Sequence, residues 1–94
     1  MRTVKDIIEE IIYTKRQIAN RKSEIGEDEF KIKETKGHIK HLKENFNQDE
    51  RIAQQIESNN SYIERLNKSI ERGKGIIEDY EKKIEELENS LTLK

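Results

Sequence analysis

The chain has 94 residues, no cysteine and no proline, and its 19 basic residues against 20 acidic ones leave a net charge of −1 at pH 7. That length suits one domain with limited apolar surface to bury. The balanced charge excludes a global field attracting nucleic acid or anionic membrane, and the lack of cysteine excludes disulfides, thiolate metal sites and cysteine nucleophiles. Leu, Ile, Val and Phe make only 23 of 94 residues, little above the level of disordered chains. Against disorder, 41 % of the chain is charged with both signs interleaved, and the apolar residues are periodic, as in a coiled coil.

The N-terminal run Met1-Arg2-Thr3-Val4-Lys5-Asp6 leads into a short isoleucine pattern broken by Glu9 and Glu10. It reads as neither a signal peptide nor a membrane span, so a cytoplasmic location is expected and the sequons Asn59-Asn60-Ser61 and Asn67-Lys68-Ser69 carry no weight. From residue 4 an apolar row repeats every seven residues: Val4, Ile11, Ile18, Ile25, Ile32, Ile39 and Phe46, the a positions of a heptad. The matching d row, Ile7, Thr14, Arg21, Asp28, Thr35 and Leu42, is apolar only at its ends. The first helix is therefore expected to carry a narrow seam, with Arg21 and Asp28 snorkelling, pairing or meeting water.

At the centre, Asn47 stands three residues before Glu50, the spacing of a capping box that starts a new helix. Asn45 suits the left-handed turn that ends a preceding one. The heptad frame breaks at the same place and resumes as two rows: Ile56, Ile63, Ile70, Ile77, Ile84, Leu91, and Ile52, Asn59, Leu66, Gly73, Tyr80, Leu87. A break is either a stammer in one helix or a turn between two, and the cap signal favours the turn. The expected fold is all-α, a long antiparallel helical hairpin of coiled-coil type forming a single domain over 1–94. Its first helix spans about 3–44, its turn about 45–47 and its second helix about 48–92. Two glycines within three residues, Gly73 and Gly75, cost roughly 1 to 2 kcal/mol of helix propensity. With Gly26 roughly across from them they predict close approach or a hinge; the alternative is four shorter helices broken at 26, 47 and 74.

Charge favours antiparallel pairing. The first helix carries Lys15, Lys22, Lys36 and Lys43 at e and Lys5, Lys33 and Lys40 at b. The second carries Glu81 and Glu88 at e and an unbroken b column of Glu50, Glu57, Glu64, Glu71, Glu78 and Glu85. On the opposite edge Glu10, Glu24, Glu27 and Glu34 are expected to face Arg51, Arg65, Arg72 and Lys83. Such exposed pairs are each worth only a few tenths of a kcal/mol, so they select an arrangement more than they stabilise it. Near the termini Ile8, Ile12 and Tyr13 widen one stripe and Ile76 the other, more apolar surface than two helices cover. The simplest partner is a second copy, a homodimer forming a four-helix bundle through Ile8, Ile12, Tyr13, Ile76, Ile77 and Tyr80.

No catalytic, cofactor or metal site is expected. Glutamates of the b column lie about 10.5 Å apart, too far for two to act on one bond. Glu34, His38 and His41 share a flank at metal-compatible spacing, but Lys36, Lys40 and Lys43 crowd it and no fourth ligand is present. Arg72-Gly73-Lys74-Gly75 lacks the strand and spacing of a phosphate loop. Two helices build no water-excluding pocket, which argues against an enzyme. The expected function is a protein–protein interaction module, an adaptor, scaffold or stoichiometric inhibitor without a membrane partner. Its surface is the bipolar face of Lys33, Lys36, Lys40, Lys43, Glu57, Glu64, Glu71, Glu78 and Glu85. The alternatives are nucleic-acid binding by the Lys33–Lys43 face, salt-sensitive and sequence-blind, or nucleic-acid mimicry by the glutamate column.

Overall fold

The computed structural model describes residues 2–92; Met1, Leu93 and Lys94, the ends of the expected 1–94 domain, lie outside the described residues. The chain is an all-α helical hairpin of α1 (Val4–Asn45) and α2 (Glu50–Thr92), with no strand among the described residues. A capping box that the sequence reading passed over starts α1. Thr3 Oγ1 accepts the Asp6 N–H at 3.1 Å and Asp6 Oδ2 accepts the Thr3 N–H at 3.3 Å. Two orphan donors are satisfied, and a carboxylate stands where the helix dipole favours one.

The turn, residues 46–49, is built differently from the expectation. Among the described residues none has a positive φ, so Asn45 forms no left-handed cap. It stays helical and its side-chain amide donates to the His41 carbonyl at 3.1 Å. The Gln48 amide closes α1 instead, lying 3.1 Å from the Phe46 carbonyl and 3.3 Å from those of Leu42 and Lys43. A helix end leaves its last carbonyls unpaired, and one well-placed amide serves several. Nor does Asn47 cap α2. Asp49 does, its Oδ1 accepting the Ile52 N–H at 3.0 Å, while Asn47 offers only its backbone carbonyl to Asp49. Asn and Asp cap about equally well, but the Asp49 carboxylate also meets the positive end of the dipole.

Both helices run unbroken through their glycines, so the four-helix alternative gives way to two continuous helices. Each glycine costs about 1 kcal/mol of propensity, too little to interrupt helices of 42 and 43 residues. Gly26 is not a point of close approach: it is exposed, and an added Cβ there meets nothing within 4 Å.

Tertiary contacts fall into two compact units. Unit 1 takes Met1–Glu24 with Arg72–Lys94, and unit 2 takes Ile25–Glu71. In unit 1, Ile7 and Ile11 pack on Leu87, with Ile84 and Leu91 against them. In unit 2, Ile32, Leu66 and Ile70 pack together, joined by Ile25 and Ile63. Within each unit the segment of α1 therefore lies antiparallel to that of α2, and the register follows from the pairs in contact. Isoleucine layers such as Ile32 with Ile63 alternate with mixed ones. Thr14 lies one heptad beyond Ile7 in unit 1; in unit 2 Asp28 falls between Ile25 and Ile32, which pack with Leu66 and Ile70, and Thr35 lines one hollow with Asn59.

The mixed layers account for the weak d row. Thr14 is the most enclosed side chain at 1 % exposure, and its hydroxyl donates to the Glu10 carbonyl at 2.8 Å, so no polar atom is stranded. Arg21, Asp28 and Thr35 are only half-buried. Arg21 reaches Glu24 at 3.4 Å, its charge kept at the rim while the stem covers the seam.

Candidate interaction surface

Each unit has two flanks, one built from the e and b heptad positions and one from g and c. In unit 2 the e/b flank holds Lys33, Lys36, Lys40 and Lys43 on α1 and Glu50, Glu57, Glu64 and Glu71 on α2, all exposed. Ala53, Asn60 and Asn67 occupy the e positions of α2 between the two columns. The expected lateral pairing does not form. Lys40 reaches Glu44 at 4.0 Å along α1 and Lys68 reaches Glu64 at 3.6 Å along α2, and among the described residues of unit 2 no ion pair joins the helices. The cause is the offset: the glutamates stand at b, one step further from the seam than the short neutral side chains at e. Two columns of opposite sign thus face water side by side.

In unit 1 the same flank carries Lys5, Lys15 and Lys22 on α1 and Glu78, Glu81, Glu85 and Glu88 on α2, with Lys74 of α2 the one cation on the acidic side, all again exposed. Beside the lysines, Val4 (50 % exposed), Ile8 (44 %) and Ile12 (54 %) rise in successive turns as an open apolar strip. The g/c flank is where the charges meet. Lys83 Nζ lies 3.0 Å from Glu10, and Arg2 pairs with the same carboxylate. The Lys83 hydrogen bond, aided by Arg2, holds the Glu10 carboxyl below its ordinary range. Of the edge expected to join Glu10, Glu24, Glu27 and Glu34 to Arg51, Arg65, Arg72 and Lys83, this is the one pair that closes among the described residues.

The residues expected to mediate self-association are divided by this geometry. Ile8 and Ile12 lie on the e/b flank. Tyr13, exposed, and Ile76, half-buried, belong to the g/c side, and Tyr80, half-buried, is a d position of the seam. Ile77 is buried in the seam at 8 % exposure.

Near the turn of unit 2 the g/c flank opens into a groove of about 580 Å³, whose lining includes His38, His41, Phe46 and Arg51. Two shallower hollows, about 410 and 380 Å³, continue it past Asn59 and Tyr62, with His38 lining all three. His41 meets the edge of Phe46 at 5.7 Å between ring centroids, and the Arg65 guanidinium lies 5.9 Å from the Tyr62 ring centroid. His38 shares the 580 Å³ groove with His41 and the 380 Å³ hollow with Glu34, and among the described residues no three His, Cys, Asp or Glu side chains converge to hold a metal ion. The sequence reading missed this groove, which takes shape only when the turn brings Arg51 and Gln55 beside His38.

No helix among the described residues is long and apolar enough to cross a membrane. No protein-family model, curated protein or solved structure matches the chain.

Proposed function

We propose that this chain is a non-enzymatic protein–protein interaction module, an adaptor, scaffold or stoichiometric inhibitor, that docks another protein through the e/b flank of unit 2. The observation behind this is the pair of exposed columns, Lys33, Lys36, Lys40 and Lys43 beside Glu57, Glu64 and Glu71, with no ion pair between them. Charges left unneutralised within the chain are free to steer a partner and fix its orientation. The alternation of signs favours a protein surface over a polyanion, because the glutamate column opposes any phosphate backbone that approaches the lysines.

The test is affinity capture from native extract with two baits, the wild-type chain and a variant carrying Lys33→Glu, Lys36→Glu, Lys40→Glu and Lys43→Glu, beside a salt titration with labelled duplex DNA. Specific proteins held by the wild type and lost by the variant are the expected result. Identical captures by both baits, or duplex binding that is tight at low salt and collapses steeply as salt rises, would overturn it.

A further inference from the structure

We infer that the e/b flank of unit 1 pairs with the same flank of a second copy of the chain, about a two-fold axis parallel to the helices. The inference rests on the reading that this kind of flank binds protein, and it names the partner at Val4, Ile8 and Ile12.

These three side chains stand 44 to 54 % exposed at successive turns of α1, contiguous with the buried seam residues Ile7 and Ile11. Contiguous exposed apolar side chains of this kind, rimmed by charge, are where an interface forms when a partner enlarges the patch. What surrounds it is strongly bipolar, with Lys5, Lys15 and Lys22 on the α1 side and Glu78, Glu81, Glu85 and Glu88, beside the one cation Lys74, on the α2 side. Among the described residues no ion pair connects the two sides. A flank half basic and half acidic is complementary to itself under one kind of symmetry. A two-fold axis along the helices brings Val4, Ile8 and Ile12 of both copies together at the axis. It also sets the lysines of each copy against the glutamates of the other, with each α1 antiparallel to its partner's α2. A two-fold axis across the helices would join the same apolar strips but stack glutamate on glutamate. Isologous pairing buries one patch twice, so three modest side chains per copy become a six-residue apolar centre.

Two measurements decide it. Sedimentation equilibrium is expected to give twice the 11.2 kDa chain mass. The double variant Ile8→Asp, Ile12→Asp is expected to weaken association about tenfold or more while helicity by circular dichroism stays unchanged, since both positions are exposed. The chain has no cysteine, so Val4→Cys and Ile12→Cys, made separately, report the symmetry. With the axis along the helices both form interchain disulfides. With the axis across them at most one does, because the two sites lie about 12 Å apart along the helix. A wild-type monomer, an unaffected double variant, or cross-linking at only one site would overturn the inference. A monomer whose lysine-reversed form still loses its captured proteins would sink this inference alone. A dimer whose two baits capture the same proteins would sink the proposed function alone.

Discussion

Glu10 serves two parts of unit 1 at once: its backbone carbonyl takes the Thr14 hydroxyl and its carboxylate takes Lys83 and Arg2. Because Lys83, and then Arg2, hold that carboxyl below its ordinary range in the folded chain, ionised Glu10 favours the fold. The contribution is complete above the ordinary glutamate range and is lost as pH falls through the lower folded-state value. Urea unfolding of wild type and Glu10→Gln should therefore show the wild type more stable at neutral pH, with the difference vanishing in acid. The glycines make a second prediction. Gly26, Gly37 and Gly75 are exposed, helical, without positive φ, and open to an added Cβ within 4 Å. Alanine at each should raise stability by about 0.5 to 1 kcal/mol in thermal or urea unfolding. That glycine lowers helix propensity was plain from composition; that these three touch nothing needed coordinates, since heptad letters say which face a residue is on and not what stands beyond it.

The caps show where an element's limits escape its sequence. Asn47 and Asp49 are both good capping residues two positions apart, and the spacing of Asn47 to Glu50 fits a capping box as well as anything in the chain. The choice between them is made by three-dimensional demands: Gln48 must reach back to the carbonyls of Leu42, Lys43 and Phe46, which keeps Asn47 in the turn. Asp49→Ala should cost about 1 kcal/mol and Asn47→Ala only a few tenths, measured by urea unfolding. The seam, by contrast, was readable. Of the rows spaced by seven residues, Ile11, Ile18, Ile32 and Ile39 on α1 and Ile70 and Ile77 on α2 are buried; Ile25, Ile56, Ile63, Ile84 and Leu91 are half-buried, and Val4 and Phe46, at the two ends of the α1 row, are exposed. Its weak places were readable too, since Asp28 in a d position has no apolar alternative. Asp28 is half-buried, between Ile25 and Ile32, which pack in one cluster with the buried Leu66. Asp28→Leu should therefore add about 1 to 2 kcal/mol by removing apolar area from water.

For the molecule as a whole, hairpin topology followed from a broken heptad frame and a cap signal at the same place. Which charges would meet did not. Charge columns on facing edges suggest two laced flanks, yet Glu10 with Lys83 is the one ion pair joining α1 and α2 among the described residues. Ion pairing depends on ångström-scale reach: in unit 2 a glutamate at b in place of e is beyond the lysine opposite, while in unit 1 Glu81 and Glu88, although at e, close no ion pair with α1 among the described residues. The pairing that would have neutralised the e/b flanks is missing, and those flanks are the candidate surface for that reason.

The four-residue turn also has a kinetic consequence. Closing a short loop loses little chain entropy, whereas contacts between the first and last turns of a hairpin close nearly the whole chain. Folding should then nucleate beside the turn and zip outward, leaving residues near the termini to dock last. In stopped-flow experiments Leu42→Ala should mainly slow refolding, and Ile7→Val should mainly speed unfolding. If both acted equally on both rates, the zipper order would be wrong. Residues next to the turn would set how fast each new copy becomes helical, and those near the ends how long it stays closed.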